Sequence, residues 1–200
     1  MPYILALDTT TDPGSLALAD GEKLLEEVIL KAPDGYGDVL FLEIERLLSR
    51  HSITLRDIEC FASASGPGTF TGVRAGLTAV KGFGDATGRK VVGVSNLQAL
   101  AWFGSSDVRA TFLDARRGDV YGGVFDARLR PIQDEVVMKY DDWVAALPEG
   151  ATPVTQQQPL ARAIAAIAWE RLQAGLAQDP AELDANYVRR ADAELMWREP

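Results

Sequence analysis

Gly66-Pro67-Gly68-Thr69-Phe70-Thr71-Gly72-Val73-Arg74-Ala75-Gly76 reads as a tight loop that runs straight into a helix. Two glycines flank Pro67, and the hydroxyls of Ser63, Ser65, Thr69 and Thr71 crowd the turn. Backbone N–H groups gather at the positive end of such a helix, which makes the junction a candidate anion cradle. Capping of the helix end by Thr69 or Thr71 explains the same residues. On a helical wheel, residues 70–86 divide into three stripes. Phe70, Val73, Leu77 and Val80 are bulky and apolar; Arg74, Thr78, Lys81 and Asp85 are polar; Gly72, Ala75, Ala79, Gly82 and Ala86 are small. Each helical glycine costs about 1 kcal/mol relative to alanine, so close approach of another element has to compensate. Two candidates for that element stand side by side: the protein's own sheet, and a helix of a second subunit.

Working outward, residues 58–63 form a strand before the loop, Gly88-Arg89-Lys90 closes the helix, and residues 91–94 form a buried strand. Ser95 caps a further helix carrying Leu97, Leu100 and Trp102. Strand-helix-strand-helix alternation implies a parallel sheet with helical crossovers. Upstream, residues 3–7, 15–19 and 24–30 form a three-strand meander with a hairpin signal at Asp20-Gly21. Asp38 is the expected cap of a helix running to Arg50, with Leu40, Phe41, Ile44, Leu47 and Leu48 on its apolar face. Val39 and Leu42 fall on the polar side with Glu43 and Arg46, which makes that flank a candidate partner surface.

From Val108 the pattern starts again. Residues 109–114, 119–125 and 132–138 answer the first meander, and Leu113-Asp114 matches Leu7-Asp8 as a strand end. The chain is therefore an internal duplication with an abbreviated second copy. Residues 1–104 are the expected first lobe, bearing the helix interface, and residues 105–200 the shortened second lobe. The second lobe is expected to hold a short helix at 140–147, a strand at 151–155 and a helix at 159–176, with the segment around Tyr187 folding back.

The whole chain narrows the function classes. With 200 residues, 47% hydrophobic, it can bury a sizeable core. Lys and Arg number 20 against 29 Asp and Glu, a net charge of −9, which disfavours direct binding to a nucleic-acid backbone. The single cysteine, Cys60, sits in an apolar strand pattern and reads as packing. The first residues lack a basic n-region, no apolar run reaches membrane-spanning length, and a cytoplasmic location is expected.

Chemical groups are sparse. Asp8 and Asp114, each at the end of a first strand, would face a cleft as in a phosphotransferase or ATPase built of two related lobes, with Thr9 beside the first. Such sites use a glycine directly after the aspartate so that backbone N–H groups reach the phosphates. Here Asp8 precedes three threonines, and Asp114 precedes Ala115-Arg116-Arg117. Turn capping by both carboxylates is the competing reading. No P-loop or Gly-x-Ser-x-Gly elbow occurs, and the one histidine, His51, gives no metal cluster. Three functional readings follow: an interaction subunit, a nucleotide-binding ATPase or phosphotransferase using Asp8 and Asp114, and a hydrolase dependent on His51.

Leu5-Ala6-Leu7-Asp8-Thr9-Thr10, the run Gly66 onward quoted above, Gly93-Val94-Ser95 and Leu113-Asp114-Ala115-Arg116 together resemble the TsaB (YeaZ) family. Its members are subunits of the bacterial machinery that makes threonylcarbamoyladenosine in transfer RNA. The resemblance implies an α/β, actin/Hsp70-like (ASKHA) duplicated fold with two lobes and a shortened second one. It also implies a non-catalytic scaffold that pairs with the catalytic paralogue TsaD, or with a second copy of itself, recruits the ATPase TsaE, and meets transfer RNA only through the complex. The partner surface is then expected on Val39, Leu42, Glu43, Arg46, Gly72, Ala75, Gly76, Ala79 and Gly82. No catalytic residue, metal or tightly held cofactor is expected, and any ATP or ADP binding is weak. The paralogue's two metal-binding histidines match Asn96 and Leu100, which hold no metal. Tyr36 departs from the histidine common in relatives, and nothing here supports the peptidase label some of them carry.

Overall fold

The computed structural model describes residues 2–32, 35–154 and 159–188, apart from the side chain of Asp38. The first sheet contains β1 (Tyr3–Asp8), β2 (Gly14–Asp20), β3 (Lys23–Leu30), β4 (Ile58–Gly66) and β5 (Lys90–Ser95). Its strand order is β3-β2-β1-β4-β5, with the first three antiparallel and β1, β4 and β5 parallel. Helix α1 (Gly37–Arg50) joins β3 to β4, α2 (Phe70–Thr87) crosses from β4 to β5, and α3 (Asn96–Ala101) follows β5. The second sheet comprises β6 (Val108–Asp114), β7 (Asp119–Asp126), β8 (Pro131–Lys139) and the two-residue β9 (Thr152–Pro153), with α4 (Tyr140–Ala145) between the last two. Its order, β8-β7-β6-β9, repeats β3-β2-β1-β4, again with the last pair parallel. This is the duplicated, actin-like topology with a shortened second copy.

Strand periodicity explains the double coverage of the first sheet. Leu5, Leu7, Leu16, Leu18 and Phe61 point to one face, where Leu40, Ile44, Leu47, Val73, Leu77 and Val80 from α1 and α2 cover them. Ile4, Ala6, Ala17, Ala19, Ala62 and Ala64 point to the other, onto α5 (Ala161–Gln173). Because both faces are buried, β1 and β4 read as apolar runs without alternation.

Three expectations are corrected. Helix α5, assigned from sequence to residues 105–200, packs on the first sheet. Its Ala161, Ile164, Ala165 and Ala168 match an alanine-rich strand face, whereas the small core of the second sheet, around Ala110, Val120, Val124 and Trp143, is covered by α4. The division at residue 104 thus separates two sheets but not two cores. Helix α1 begins at Gly37, so Asp38 lies in its first turn and is not the cap. Phe41 is 54% exposed, because Leu40, Ile44, Leu47 and Leu48 complete the buried stripe and leave it at the edge, with its ring edge-on to Phe83 at 5.9 Å.

Candidate functional site

The loop of residues 66–69 is occupied by the protein itself. The Thr69 N–H donates to the carbonyl of Thr10 at 3.1 Å, and the Gly66 N–H donates to Asn96 Oδ1 at 3.1 Å. Thr69 stands at the helix start but makes no side-chain cap; its hydroxyl donates to Thr10 O at 3.3 Å. Thr71 is exposed in the first turn. A Cβ on Gly68 would lie 2.6 Å from that of Thr10. The turn between β1 and β2 therefore fills the candidate anion cradle.

Asp8 is committed to the same turn. Its carboxylate accepts from Thr10 N at 2.9 Å, Thr10 Oγ1 at 2.6 Å and Thr11 Oγ1 at 3.1 Å, and the residue is 1% exposed. Burial holds its carboxyl above the ordinary aspartate range, against the pull of these donors. Thr9 donates to the Gly72 carbonyl at 2.6 Å and so ties the turn to α2. Asn96 extends the network by donating to Thr10 Oγ1. Asp114 stands elsewhere: it is exposed, accepts from the Arg116 N–H at 2.7 Å, and closes a turn in which Arg116, Arg117 and Gly118 all have positive φ. A cleft of about 650 Å³ separates the lobes, with Thr10, Thr11, Gly68 and Thr69 on one wall and Asp114, Arg116 and Tyr121 on the other. Asp8 is not in its lining, so the two carboxylates do not share one surface.

The second concavity is a groove of about 670 Å³ between α1 and α2. Ala75, Thr78, Ala79 and Gly82 line it along α2, and Phe41, Phe70 and Phe83 supply aromatic walls. Arg74 stacks over Phe70 at 3.8 Å and is the one charged side chain among the described lining residues. Tyr36, at one end, donates from its hydroxyl to the Thr11 carbonyl.

The expected partner set divides. Ala75, Ala79 and Gly82 line the groove. Val39, Leu42, Glu43 and Arg46 do not; Leu42 is exposed on the adjoining flank of α1, where Glu43 and Arg46 form a surface ion pair at 2.6 Å. Gly72 and Gly76 face inward: a Cβ on Gly72 would meet Thr9 O at 2.0 Å, and one on Gly76 would meet Ser63 Oγ at 2.5 Å. Their smallness serves the protein's own turn and strand. Gly82 has nothing within 4 Å of an added Cβ, so Gly82→Ala is expected to stabilise the chain by about 1 kcal/mol through helix propensity. Urea denaturation checks this, and a loss of stability would contradict it. Sequence reasoning missed Phe41, Phe70 and Phe83 as groove walls. Their signal was aromatic residues at stripe edges, with Phe70 at the first helical position, beyond the cover of the sheet.

The remaining chemistry is occupied. His51 Nε2 lies 2.8 Å from Glu26 Oε2, and Arg50 holds the same carboxylate at 2.6 Å, lowering its pKa. Cys60 lies in the core, where burial pushes its thiol up to about 12. Asn96 and Leu100 are both buried, the first within the Thr10 network. Among the described residues no group of three or more His, Cys, Asp or Glu gathers, and no helix is long and apolar enough to cross a membrane.

Comparison with known proteins gives the family. The family whose pattern matches residues 36–170 is described as TsaD: tRNA N6-adenosine threonylcarbamoyltransferase. The tRNA threonylcarbamoyladenosine biosynthesis protein TsaB of Bacillus subtilis is 28% identical over 156 residues, covering 76% of this chain and 68% of that protein. The protein of the same name in Escherichia coli is 32% identical over 122 residues, covering 59% of this chain and 52% of its own. The structure of YeaZ from Pseudomonas aeruginosa superposes with a TM-score of 0.78 at 25% identity, covering 94% of this chain and all of that one. With more than half its length inside the threonylcarbamoyltransferase pattern and these relatives along it, the chain belongs to the TsaB (YeaZ) family.

Proposed function

We propose that this chain is a non-catalytic subunit of tRNA threonylcarbamoyladenosine biosynthesis that pairs with a TsaD-type transferase through the α1/α2 groove. The pair recruits the ATPase TsaE, and in the absence of the transferase a second copy of the chain takes its place. The observation that carries the reading is the groove: an apolar trough of about 670 Å³, floored by small residues and walled by three phenylalanines, of which Phe41 and Phe70 are more than half exposed. Such a surface suits an incoming helix. The non-catalytic part draws on the buried amide of Asn96 and the leucine at position 100, and on an Asp8 carboxylate sealed by threonines. The net charge of −9 supports the reading that any contact with transfer RNA is made by the partner's surface.

Co-expression with the transferase of the same organism tests the reading. Phe41→Asp puts a charge into the groove at an exposed position, so the fold should survive. Its Kd for the transferase should rise roughly thirty-fold, the effect of losing an aromatic anchor worth about 2 kcal/mol. An unchanged Kd with an intact fold would sink the groove as the pairing surface. Reconstituted modification of transfer RNA should require the chain and should fall with the variant in step with pairing. The rival phosphotransfer reading needs Asp8 to face a phosphate, and calorimetry of the isolated chain with ATP and magnesium tests it directly.

A further inference from the structure

The last described segment, residues 178–188, runs as a strap along the first lobe. It starts as an extension of the sheet, with Gln178 and Val91 exchanging backbone hydrogen bonds at 2.9 and 3.0 Å. Lys90 pairs with Asp179 at 2.6 Å, Lys81 donates to the Leu183 carbonyl at 2.7 Å, and the Leu183 side chain is buried in the core under α2. All these ties are to the first lobe. Three residues later the strap meets the second lobe as well.

That meeting is made by one carboxylate. Between Gly122 and Val124 the register of β7 against β8 shifts, Gly122 facing Val136 and Val124 facing Gln133, so Asp134 and Glu135 form a bulge. A bulge re-aims a side chain, and the lack of a Cβ on Gly123 leaves room beside the Glu135 stem. Glu135 Oε1 accepts from the hydroxyl of Ser95, the residue at the β5–α3 junction. Its Oε2 accepts from Asn186 Nδ2 at 2.6 Å. The Asn186 N–H in turn donates to Ser65 O at 2.8 Å, at the end of β4. One position on, Tyr187 lies against Phe70, ring centroids 6.4 Å apart, and its hydroxyl accepts from Arg74 Nε at 3.3 Å. Phe70 and Arg74 are groove residues.

We propose that Glu135 is a positioning residue that latches the C-terminal strap across the two lobes and thereby sets the end wall of the α1/α2 groove. The latch works because Glu135 and Tyr187 are separated by only one intervening residue contact, so a shift of β8 relative to β5 reaches Phe70 and Arg74 through Asn186. The inference rests on the groove reading for its consequence in pairing, but the latch itself is a property of the isolated chain. Among the described residues the hydrogen-bond donors to this carboxylate are two neutral groups, Ser95 and Asn186, and burial works against its charge. Such a tie is strong enough to order the strap and weak enough to be released by movement of the second lobe.

The test exchanges donor and acceptor across the bond. Asn186→Asp sets two carboxylates against each other and should open the latch. Glu135→Gln added to Asn186→Asp restores a bond of opposite polarity, the new amide donating to the new carboxylate, while its oxygen still accepts from Ser95. Glu135→Ala removes the acceptors from the other side. In hydrogen exchange of the full chain, amides 183–188 of Asn186→Asp and Glu135→Ala should exchange about tenfold faster than wild type, with those of β1 and α5 unchanged, and the double variant should return to wild type. The Arg74 Nε–Hε resonance should move with the opening and return with the restoration. Unchanged exchange at 183–188 in the opened variants overturns the latch, as does a double variant that stays open. Faster exchange with a stationary Arg74 signal overturns the link to the groove. These readouts need no partner, so a failed groove reading, seen as Phe41→Asp pairing normally, is distinguishable from a failed latch.

Discussion

Gly72→Ala is expected to lose about 3 kcal/mol of stability or more, although alanine is the better helix former by about 1 kcal/mol. The added methyl would lie 2.0 Å from the carbonyl oxygen of Thr9, 2.5 Å from Thr69 Oγ1 and 3.0 Å from the Thr9 carbonyl carbon. Two of these three atoms are backbone, held by the register of β1 against β2 and β4, so relief requires the whole turn to move away from α2. Movement would also break the Thr9 bond to the Gly72 carbonyl, 2.6 Å long and buried. The comparison with Gly82→Ala isolates the cause, since the same substitution ten residues along the same helix meets open space. Urea denaturation of both variants should shift their midpoints in opposite directions. A stable Gly72→Ala protein would mean that the turn and helix are not in the contact described.

Asp8→Ala is the second large effect. It removes one acceptor group that serves three donors and leaves the buried N–H and hydroxyl of Thr10 without it. At about 1–3 kcal/mol for each unsatisfied group, the expected loss is about 2–4 kcal/mol, part being offset by relief of a buried charge. Asp8→Asn should behave differently. Its oxygen can accept both Thr10 bonds and its amide can donate to Thr11, so the network survives without the charge. The pH dependence follows from the raised pKa of the folded state. Below the ordinary value of 3.8 the carboxyl is protonated in both states and its contribution is fully present. As the pH rises through the higher folded pKa, the folded state must also release a proton from a buried site, and that contribution is lost. Asp8→Asn should therefore have a flatter stability profile above pH 3.8 and should match or exceed the wild type at pH 7. Denaturation midpoints across the pH range check this; a parallel decline in both proteins would assign the pH dependence to other groups.

The strands, the hairpin at Asp20-Gly21, the Ser95 cap and the repeat were legible because each depends on residues adjacent in the chain. The glycine-rich helix was legible as a helix, yet the purpose of its small residues was not. Gly72 and Gly76 answer to Thr9 and Ser63, whereas Ala75, Ala79 and Gly82 answer to the groove. A wheel places all five on neighbouring angles and cannot say what stands opposite. Phe41 and Phe70 illustrate the same limit from the other side, since an apolar residue at the edge of a stripe is buried only if something covers it.

From residue order alone came the duplicated α/β topology, the abbreviated second copy and the family, since period, turn chemistry and the Gly66 to Gly76 run are local properties. Tertiary structure decided the rest: that the loop opening α2 is filled by the β1–β2 turn, that α5 covers the first sheet, and that Asp8 faces threonines and not the cleft. The physical reason is separation along the chain. The contacts that assign these roles join Thr9 to Gly72 across 63 positions, Ser15 to Ala161 across 146 and Asn186 to Glu135 across 51, and no local pattern records which distant partner a small or polar residue will meet.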